Sequence, residues 1–282
     1  MPITRFAPSP TGYLHLGHAY AALLAFRAAE EGRFLLRIED IDPVRCKPEF
    51  TEAIIEDLRW LGLEWPEPVR HQSQHLADYA AALDKLRDRG LVYPCFCTRR
   101  EIDQEAQRAA HAPHAEDGTL VYPGTCQHLS ASERAEKLAR QGSATWRLDI
   151  AAAMRQTGKL FWHDRVKGWV EANPALFGDV VLARKDVPTS YHLSVIVDDH
   201  AQGVTLVTRG KDLFASTHIH RLLQALLGFD TPGYHHHSLL TDSTGRRYAK
   251  RDKAATLRDW RERGETAEQV IKASFAFPDS LS

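Results

Sequence analysis

His15, Gly17 and His18, in the run His15-Leu16-Gly17-His18, have the types and spacing to meet a phosphate-bearing ligand. A short strand is predicted over Ile3-Thr4-Arg5-Phe6; Pro8-Ser9-Pro10-Thr11-Gly12 breaks it, and a helix is predicted from Leu16 to Glu31. Both imidazoles then fall in the first turn of a helix. Free backbone N–H groups and the positive end of the helix dipole attract an anion there. The rings add side-chain donors, and Gly17 lets a flat ligand approach the backbone. A bare H-x-G-H describes a capped helix with two surface histidines; the turn before it, close to the N-terminus, favours a nucleotide site. No Walker-type loop is present, so the phosphates would be held by a different device.

A second chemistry is offered by cysteine. Cys95, Cys97 and Cys126 gather around a His-rich segment, while Cys46 stands apart as a thiol near a loop. In a cytosolic chain this pattern points to a metal rather than a disulfide. Zinc takes four thiolate or imidazole ligands in a tetrahedron, and chemistry alone offers His128, His114 or His111 as the fourth. The run His235-His236-His237 and the pair Asp198-Asp199 also invite a metal by composition, although an acidic pair at a helix end more often caps or braces the helix.

The elements that must position these groups follow from periodicity. Phe34-Leu35-Leu36-Arg37-Ile38 reads as a buried strand ending in the acidic turn Glu39-Asp40-Ile41-Asp42, and helical patterns follow over Pro48–Leu61 and Gln74–Arg89. This alternation predicts an α/β fold on a parallel sheet. From Tyr93 to His128 the pattern breaks around a short polar helix, as an inserted subdomain would. It resumes with strand candidates at Ala144–Asp149 and Asp179–Ala183, a helix starting in Tyr191–Val197, a β-branched strand Val204–Thr208 and a helix over Leu213–Leu227. In an open α/β sheet, ligands bind beyond the carboxyl ends of strands where strand order reverses. Arg5, Glu39 and Arg209 each end or follow a predicted strand and could converge there; singly, each is an ordinary surface charge.

The 282 residues allow one large domain or two modest ones, and 36 Lys and Arg balance 37 Asp and Glu. That balance gives no whole-molecule case for nucleic acid. RNA binding would need a local patch, and Arg246-Arg247-Tyr248-Ala249-Lys250-Arg251-Asp252-Lys253 is the densest one. No segment approaches the ~20 apolar residues of a membrane span. The N-terminus lacks a signal-peptide pattern, so a cytoplasmic protein with no membrane partner is expected.

Arg5 to His18 resembles the first signature of the class I aminoacyl-tRNA synthetases, and Arg5-Phe6-Ala7-Pro8-Ser9-Pro10-Thr11-Gly12 resembles its glutamyl branch. Arg37-Ile38-Glu39-Asp40 resembles the R-I-E-D segment, whose glutamate meets the amino group of the amino acid. Tyr191-His192-Leu193 with Val197-Asp198-Asp199 resembles the Y-x-L-A…D-D block. Thr208-Arg209-Gly210-Lys211-Asp212-Leu213 resembles R-G-x-D/E, whose arginine pairs with the substrate side-chain carboxylate. Tyr234-His235-His236-His237-Ser238-Leu239 resembles the Y-x-H-x-S/P-L strand, which turns the triple histidine away from a metal role. Arg247-Tyr248-Ala249-Lys250-Arg251 stands where the family has K-M-S-K-S or K-L-S-K-R. Lys250 and Arg251 match and Arg247 keeps a charge, but Tyr248 replaces an aliphatic residue and Ala249 loses the hydroxyl that helps shape that loop.

The resemblance implies a Rossmann-like parallel-sheet catalytic domain over residues 1–240, interrupted at about 93–165 by an inserted subdomain with a zinc site. A signature loop and short helical tail would occupy residues 241–282. It implies catalytic roles for His15, His18 and Lys250, with Thr11, Gly17 and Arg247 joining them on ATP, which carries magnesium. Around L-glutamate it implies Arg5, Phe6, Ala7, Pro8, Ser9, Glu39, Tyr191 and Arg209. Cys95-Phe96-Cys97 and Tyr122-Pro123-Gly124-Thr125-Cys126 resemble the C-x-C…Y-x-x-x-C site of the glutamyl-queuosine tRNA(Asp) synthetases, which makes Tyr122 the fourth ligand of a structural zinc. About thirty residues follow Lys250, where a full-length glutamyl-tRNA synthetase has a large anticodon-binding region, so no such domain is expected. The resemblance thereby narrows to the shorter, monomeric paralogue that activates glutamate and attaches it to queuosine in tRNA(Asp). A compact ligase charging a tRNA 3′ end, and a synthetase-like RNA-binding protein without catalysis, are the competing expectations.

Overall fold

The computed structural model describes residues 1–98, 100–102, 121–240 and 255–275. Strand β1 (Ile3–Phe6) enters helix α1 (Leu16–Ala29) through the proline-rich turn, and β2 (Arg33–Ile38) returns parallel to β1 with Thr4 beside Phe34. Helix α2 (Pro48–Trp60) begins on a proline, whose missing N–H is one the first turn would leave unbonded anyway. A short β3 (Arg70–His71) runs parallel to β2 and precedes α3 (Leu76–Asp88). Then come β4 (Val92–Cys95), α4 (Ala131–Gln141), β5 (Thr145–Leu148), α5 (Ile150–Thr157), β6 (Phe161–Asp164), β7 (Gly168–Glu171) and β8 (Val181–Ala183). The chain continues through α6 (Tyr191–Ala201), β9 (Leu206–Gly210), α7 (Ser216–Leu227), β10 (Gly233–His237), α8 (Leu257–Glu262) and α9 (Ala267–Ser274).

The strands form an order β1-β2-β3 on one side and β7-β6-β10-β9 on the other, parallel throughout except at β7. Thr205 N–H donates to the Ile3 carbonyl at 2.9 Å, so β1 lies beside the start of β9 and the two groups meet there. That seam is where strand order reverses, the place an open α/β sheet leaves for a ligand. Side chains of β2 alternate with the strand period: Phe34, Leu36 and Ile38 join a core with α1, α2 and the tail, while Leu35 packs with Trp162, Val207 and Tyr234. A further core joins α3, α6 and α7 through Leu83, Leu193, Ile196, Ile219 and Leu222. Among the described residues, no helix is long and apolar enough to cross a membrane.

Three expectations change. Ala144–Asp149 and Asp179–Ala183 do not resume the parallel sheet; as β5 and β8 they pair antiparallel with β4 in a separate sheet of order β4-β5-β8. Strand β4 falls inside the stretch read as irregular. Pro94 hid it, and a proline is tolerated there because β4 is an edge. The hairpin of β6 and β7 also went unread, and it inserts β6 beside β10. The helix expected from Leu213 starts at Ser216, after a 3-10 turn over Lys211–Leu213.

The tail is pinned by charge. Arg261 of α8 lies 2.7 Å from Glu56 and 2.9 Å from Asp57, and Asp57 is fully buried on α2. Burial pushes the Asp57 carboxyl up to about 6 against the pull of Arg261. A carboxyl raised on folding costs stability as pH rises through that value, and the arginine limits the cost. Arg261→Met should therefore lower stability by about 2 kcal/mol at pH 8 and by less at pH 5, where Asp57 is protonated. Thermal denaturation at the two pH values checks this; an equal loss at both would show that the pair contributes only packing.

Candidate active site

The seam between β1 and β9 is built on consecutive carboxylates near the end of α6. Asp199 accepts from Arg5 Nε at 3.0 Å and from Arg37 Nη2, and Arg5 Nη1 also donates to the Thr208 carbonyl at 3.2 Å. Asp198 accepts from Arg70 Nε and Gln72 Nε2, both at 2.7 Å, and from the Tyr79 hydroxyl. Burial opposes ionisation of Asp199, but its two arginines hold it below the usual carboxylate range. Asp198-Asp199 is thus a structural brace and not a metal site, as a pair at a helix end suggested. Arg5 is already engaged by this brace.

Glu39 follows β2 directly. Its amide donates to the Pro8 carbonyl at 3.0 Å, and Lys47 N–H donates to Pro10 at 3.0 Å, so the Pro8–Pro10 turn is fastened beside it. Arg37 Nη1 lies 3.9 Å from the Glu39 carboxylate. Burial nevertheless raises Glu39 to about 7, with Arg37 and Arg5 pulling the other way and Asp198 and Asp199 adding to the rise. A carboxyl poised near neutrality becomes a strong partner for a cation brought by a ligand.

Arg209, on β9, is 6% exposed and surrounded by neutral groups. It reaches His236 Nε2, the Tyr191 hydroxyl and His220 Nδ1, each at 3.1 Å, and donates to Thr217 Oγ1 at 2.6 Å. Among the described residues no carboxylate lies within ion-pair distance of it. Tyr191, in contact with Arg209, is raised by burial against the pull of that guanidinium, and Arg5 reaches the carbonyl of Thr208, the residue before Arg209. A buried cation without a counter-charge is a receptor for an anion.

His15 and His18 close α1. His15 Nδ1 accepts from Gly17 N–H at 3.1 Å, and His18 Nδ1 accepts from His15 N–H at 3.2 Å, a reciprocal capping box with the rings 3.8 Å apart. In the neutral rings the proton is then on Nε2. The histidines line a cavity of about 300 Å³ with Gly17, Gly210, Asp212 and His237. A Cβ on Gly17 would come 3.1 Å from the His15 ring, and one on Gly210 would come 2.5 Å from Asp212 Oδ1 and 2.6 Å from Leu239, so those side chains would have to shift to admit it. Leu240 also lines this cavity, and Thr256 bridges to His15.

A family model for class I tRNA synthetases (E and Q), catalytic domain, matches residues 3–276. The chain belongs to this family. It is a ligase of the aminoacyl-tRNA synthetase class. The Glutamyl-Q tRNA(Asp) synthetase of Rhodobacter capsulatus is 50% identical over 275 residues, covering 95% of this chain and 98% of the relative. The glutamate–tRNA ligase of Coprothermobacter proteolyticus is 38% identical over 272 residues, covering 95% of this chain and 56% of the relative. A solved glutamate tRNA ligase from Elizabethkingia meningosepticum superposes with a TM-score of 0.79 at 28% identity, covering 97% of this chain; the chain spans 60% of that protein.

Of the residues expected around the amino acid, Tyr191 contacts Arg209, Arg5 is bound to Asp199, and Glu39 lies beside Arg37. The side chain of Phe6 is core, Pro8 is buried, and Ser9 is exposed on the fastened turn that also carries Ala7. Thr11 N–H closes that turn on the Ser9 carbonyl at 2.8 Å. Lys250 and Arg247, with the basic run from Arg246 to Lys253, lie outside the described residues, as do His111 and His114. Sequence reading missed Arg37, Thr217, His220, His236 and Asp164; their roles come from contacts between distant segments, and only the strand-end position of Arg37 hinted at one.

Cys95, Cys97 and Cys126 form a cluster whose Sγ atoms lie within 4.8 Å of one another and which could hold a metal ion. The Tyr122 hydroxyl is 3.4 Å from Cys95 Sγ and 3.6 Å from Cys97 Sγ, and it accepts from Cys126 N–H at 2.9 Å. A hydrogen bond from Cys97 draws Cys95 down to about 4, while the same contact and burial push Cys97 up. One thiolate is readily formed and a second awaits a cation, which suits a divalent ion. His128 is not part of this group. Between the cluster and Tyr191 opens a cavity of about 470 Å³ walled by Arg45, Arg147 and Arg184 with Tyr122 and Phe177.

The titration of Glu39 gives a test of the site. Its free-state value of about 7 exceeds the ordinary 4.5, so below neutrality it must lose a proton before it can face a ligand ammonium. Affinity for an ammonium-bearing ligand should rise with pH and level off above 7, falling about tenfold per unit well below it. Calorimetric titration in buffers of different ionisation enthalpy should show proton release at pH 6, abolished in Glu39→Gln. A pH-independent affinity would remove Glu39 from the ammonium subsite.

Proposed function

We propose that this protein activates L-glutamate with ATP to glutamyl adenylate and transfers the glutamyl group to the queuosine base in the anticodon of tRNA(Asp). The observation that carries the reading is Arg209, buried among neutral acceptors; the near-neutral Glu39 lies at the end of the neighbouring strand group, beside Arg37. An amino acid with a side-chain carboxylate completes both: its ammonium meets Glu39 and its γ-carboxylate meets Arg209. Glutamine would leave the buried guanidinium without a counter-charge, and aspartate falls a methylene short. For the acceptor, support comes from the relative named for queuosine, which is matched across nearly its whole length and at higher identity than the glutamate–tRNA ligase. The cavity beside Tyr191, lined by Arg45, Arg147 and Arg184 together with Asp42 and Asp179, is the approach assigned to the RNA acceptor in this reading.

In the first step an oxygen of the α-carboxylate attacks the α-phosphorus of ATP. The new O–P bond forms as the bond to the pyrophosphate oxygen breaks. The carboxylate is already a nucleophile, so no general base is needed, and the rate comes from alignment and charge stabilisation. His15 and His18 present Nε2–H to the triphosphate at the positive end of α1. Lys250 and Arg247 meet the departing pyrophosphate. Magnesium bound with ATP would supply further positive charge there. In the second step a queuosine hydroxyl attacks the adenylate carbonyl and AMP leaves.

The cysteine cluster is assigned to a structural zinc held by Cys95, Cys97, Cys126 and Tyr122. A tetrahedron with Zn–S bonds of about 2.3 Å has sulfur–sulfur edges of about 3.8 Å, and Cys97 Sγ lies 3.5 Å from Cys126 Sγ. Elemental analysis should give one zinc per chain. Tyr122→Phe should release it at a lower chelator concentration, and Cys46→Ser should leave it in place. An unchanged Tyr122→Phe alongside a zinc-poor His128→Ala would overturn the fourth ligand.

Glutamate, and neither glutamine nor aspartate, should support ATP–pyrophosphate exchange. Labelled glutamate should then pass to an anticodon stem-loop carrying queuosine and not to the same hairpin with guanosine. Transfer only to full-length tRNA with an intact 3′ end would favour a compact glutamyl-tRNA ligase; no exchange with any amino acid would sink the reading.

A further inference from the structure

We propose that Asp164, on the hairpin of β6 and β7, is a positioning residue that fixes the proton of His236 on Nδ1 and thereby holds Arg209 ready for a carboxylate. This inference rests on Arg209 as the receptor for the substrate side chain. A guanidinium can only donate, so each ring nitrogen it touches must be unprotonated. Arg209 Nε lies 3.1 Å from His236 Nε2, and Arg209 Nη1 lies 3.1 Å from His220 Nδ1. On the far side of the ring, His236 Nδ1 is 2.7 Å from Asp164 Oδ2, and Asp164 is fully buried. An ionised carboxylate only accepts, which places the ring proton on Nδ1 and leaves Nε2 bare toward the arginine. Thr217 completes the circuit: its hydroxyl accepts from Arg209 Nη2 at 2.6 Å and lies 3.2 Å from His236 Nε2. On the other flank His220 Nε2 carries its proton toward His192 Nδ1 at 3.2 Å.

The backbone supports this arrangement. His236 and Arg209 are register partners on β10 and β9, so the strand pairing sets their side chains on one face. Burial and the nearby guanidinium hold His236 down at about 4, and burial keeps His220 low, so both rings stay neutral through the physiological range. The acid therefore sits one imidazole away from Arg209. It orients the cation without cancelling its charge, which remains for the ligand. A direct carboxylate partner would orient it equally well and close the site to a second anion.

Asp164 also shapes its own turn, where Oδ1 accepts from Val166 N–H and Lys167 N–H at 2.9 Å each. Oδ2 also accepts from the His236 backbone N–H at 3.3 Å; asparagine gives up that long bond, keeps both turn bonds through its carbonyl oxygen and presents N–H to the His236 ring. That forces the ring proton onto Nε2, facing the N–H of Arg209. Asp164→Asn should raise the glutamate KM in ATP–pyrophosphate exchange about tenfold or more, with kcat and the KM for ATP changed less than about twofold. In ¹⁵N-histidine spectra, assigned by the loss of signals in His236→Gln, His236 should be the Nδ1–H tautomer in the unmodified protein and Nε2–H in Asp164→Asn. His236→Gln offers a fixed acceptor oxygen to Arg209, so adding Asp164→Asn to it should have little further effect on KM.

An Nε2–H tautomer in the unmodified protein overturns the proposal without any variant. So does an equal KM loss in the His236→Gln background, which would make Asp164 a turn residue only. If glutamate supports no exchange in the unmodified protein, the parent reading fails, and the tautomer spectra still decide the relay.

Discussion

Asp199, held between Arg5 and Arg37, is the interaction on which the rest of the molecule depends. It joins β1, β2 and α6 at the seam where the two strand groups meet. Its neighbour Asp198 extends the brace to β3 and α3 through Arg70, Gln72 and Tyr79. Ionised groups so deeply placed are tolerated only with partners of the opposite sign, and removing one partner of a buried pair typically costs about 3–5 kcal/mol. The brace is therefore a condition for the seam to exist at all. It is also why Arg5, which sequence pattern suggests as a ligand for substrate, spends much of its donor capacity on the protein.

The electrostatics of the space above the seam follow from this arrangement. Arg5, Arg37 and Arg70 face Asp198 and Asp199, and Arg70 also pairs with Asp78 at 2.8 Å, so the brace is balanced within itself. Glu39 stays partly protonated, because losing water weighs more than the nearby guanidinium groups. Arg209 adds a further cation with no acid beside it among the described residues. In the proposed reading, a zwitterion bearing one extra carboxylate would set that carboxylate against Arg209 and its ammonium against Glu39. Recognition of this type depends less on shape than on balancing a sum.

Much of the sheet could be read from the sequence, because a parallel strand buried on both faces leaves a dense apolar run such as Phe34–Ile38, and a helix such as Ser216–Leu227 repeats its apolar residues every three or four positions. Glu39 and Arg209 were legible for the same reason: they stand where strands end. The antiparallel sheet of β4, β5 and β8 was not, since its strands are short, one contains a proline, and nothing in a strand's own composition says which way its partner runs. Asp164 and His236 were invisible as a pair. They are 72 positions apart and meet only because β6 inserts beside β10. The cysteine cluster shows the intermediate case: spacing exposed the three thiols, while Tyr122 came from family pattern and was seen to touch them only in the fold.

The capping box at the start of α1 ties two demands to the same atoms. Each imidazole spends Nδ1 on the backbone and both residues line the cavity, so the ring that stabilises the helix is also the ring proposed to meet the nucleotide. Loss of either histidine then removes a cap and a ligand together, and a damaged variant cannot report by itself which loss it suffered. The same economy limits evolutionary drift. A lineage that gave up the chemistry would still have to find another residue able to close the helix, so the signature can outlive the activity that usually explains it.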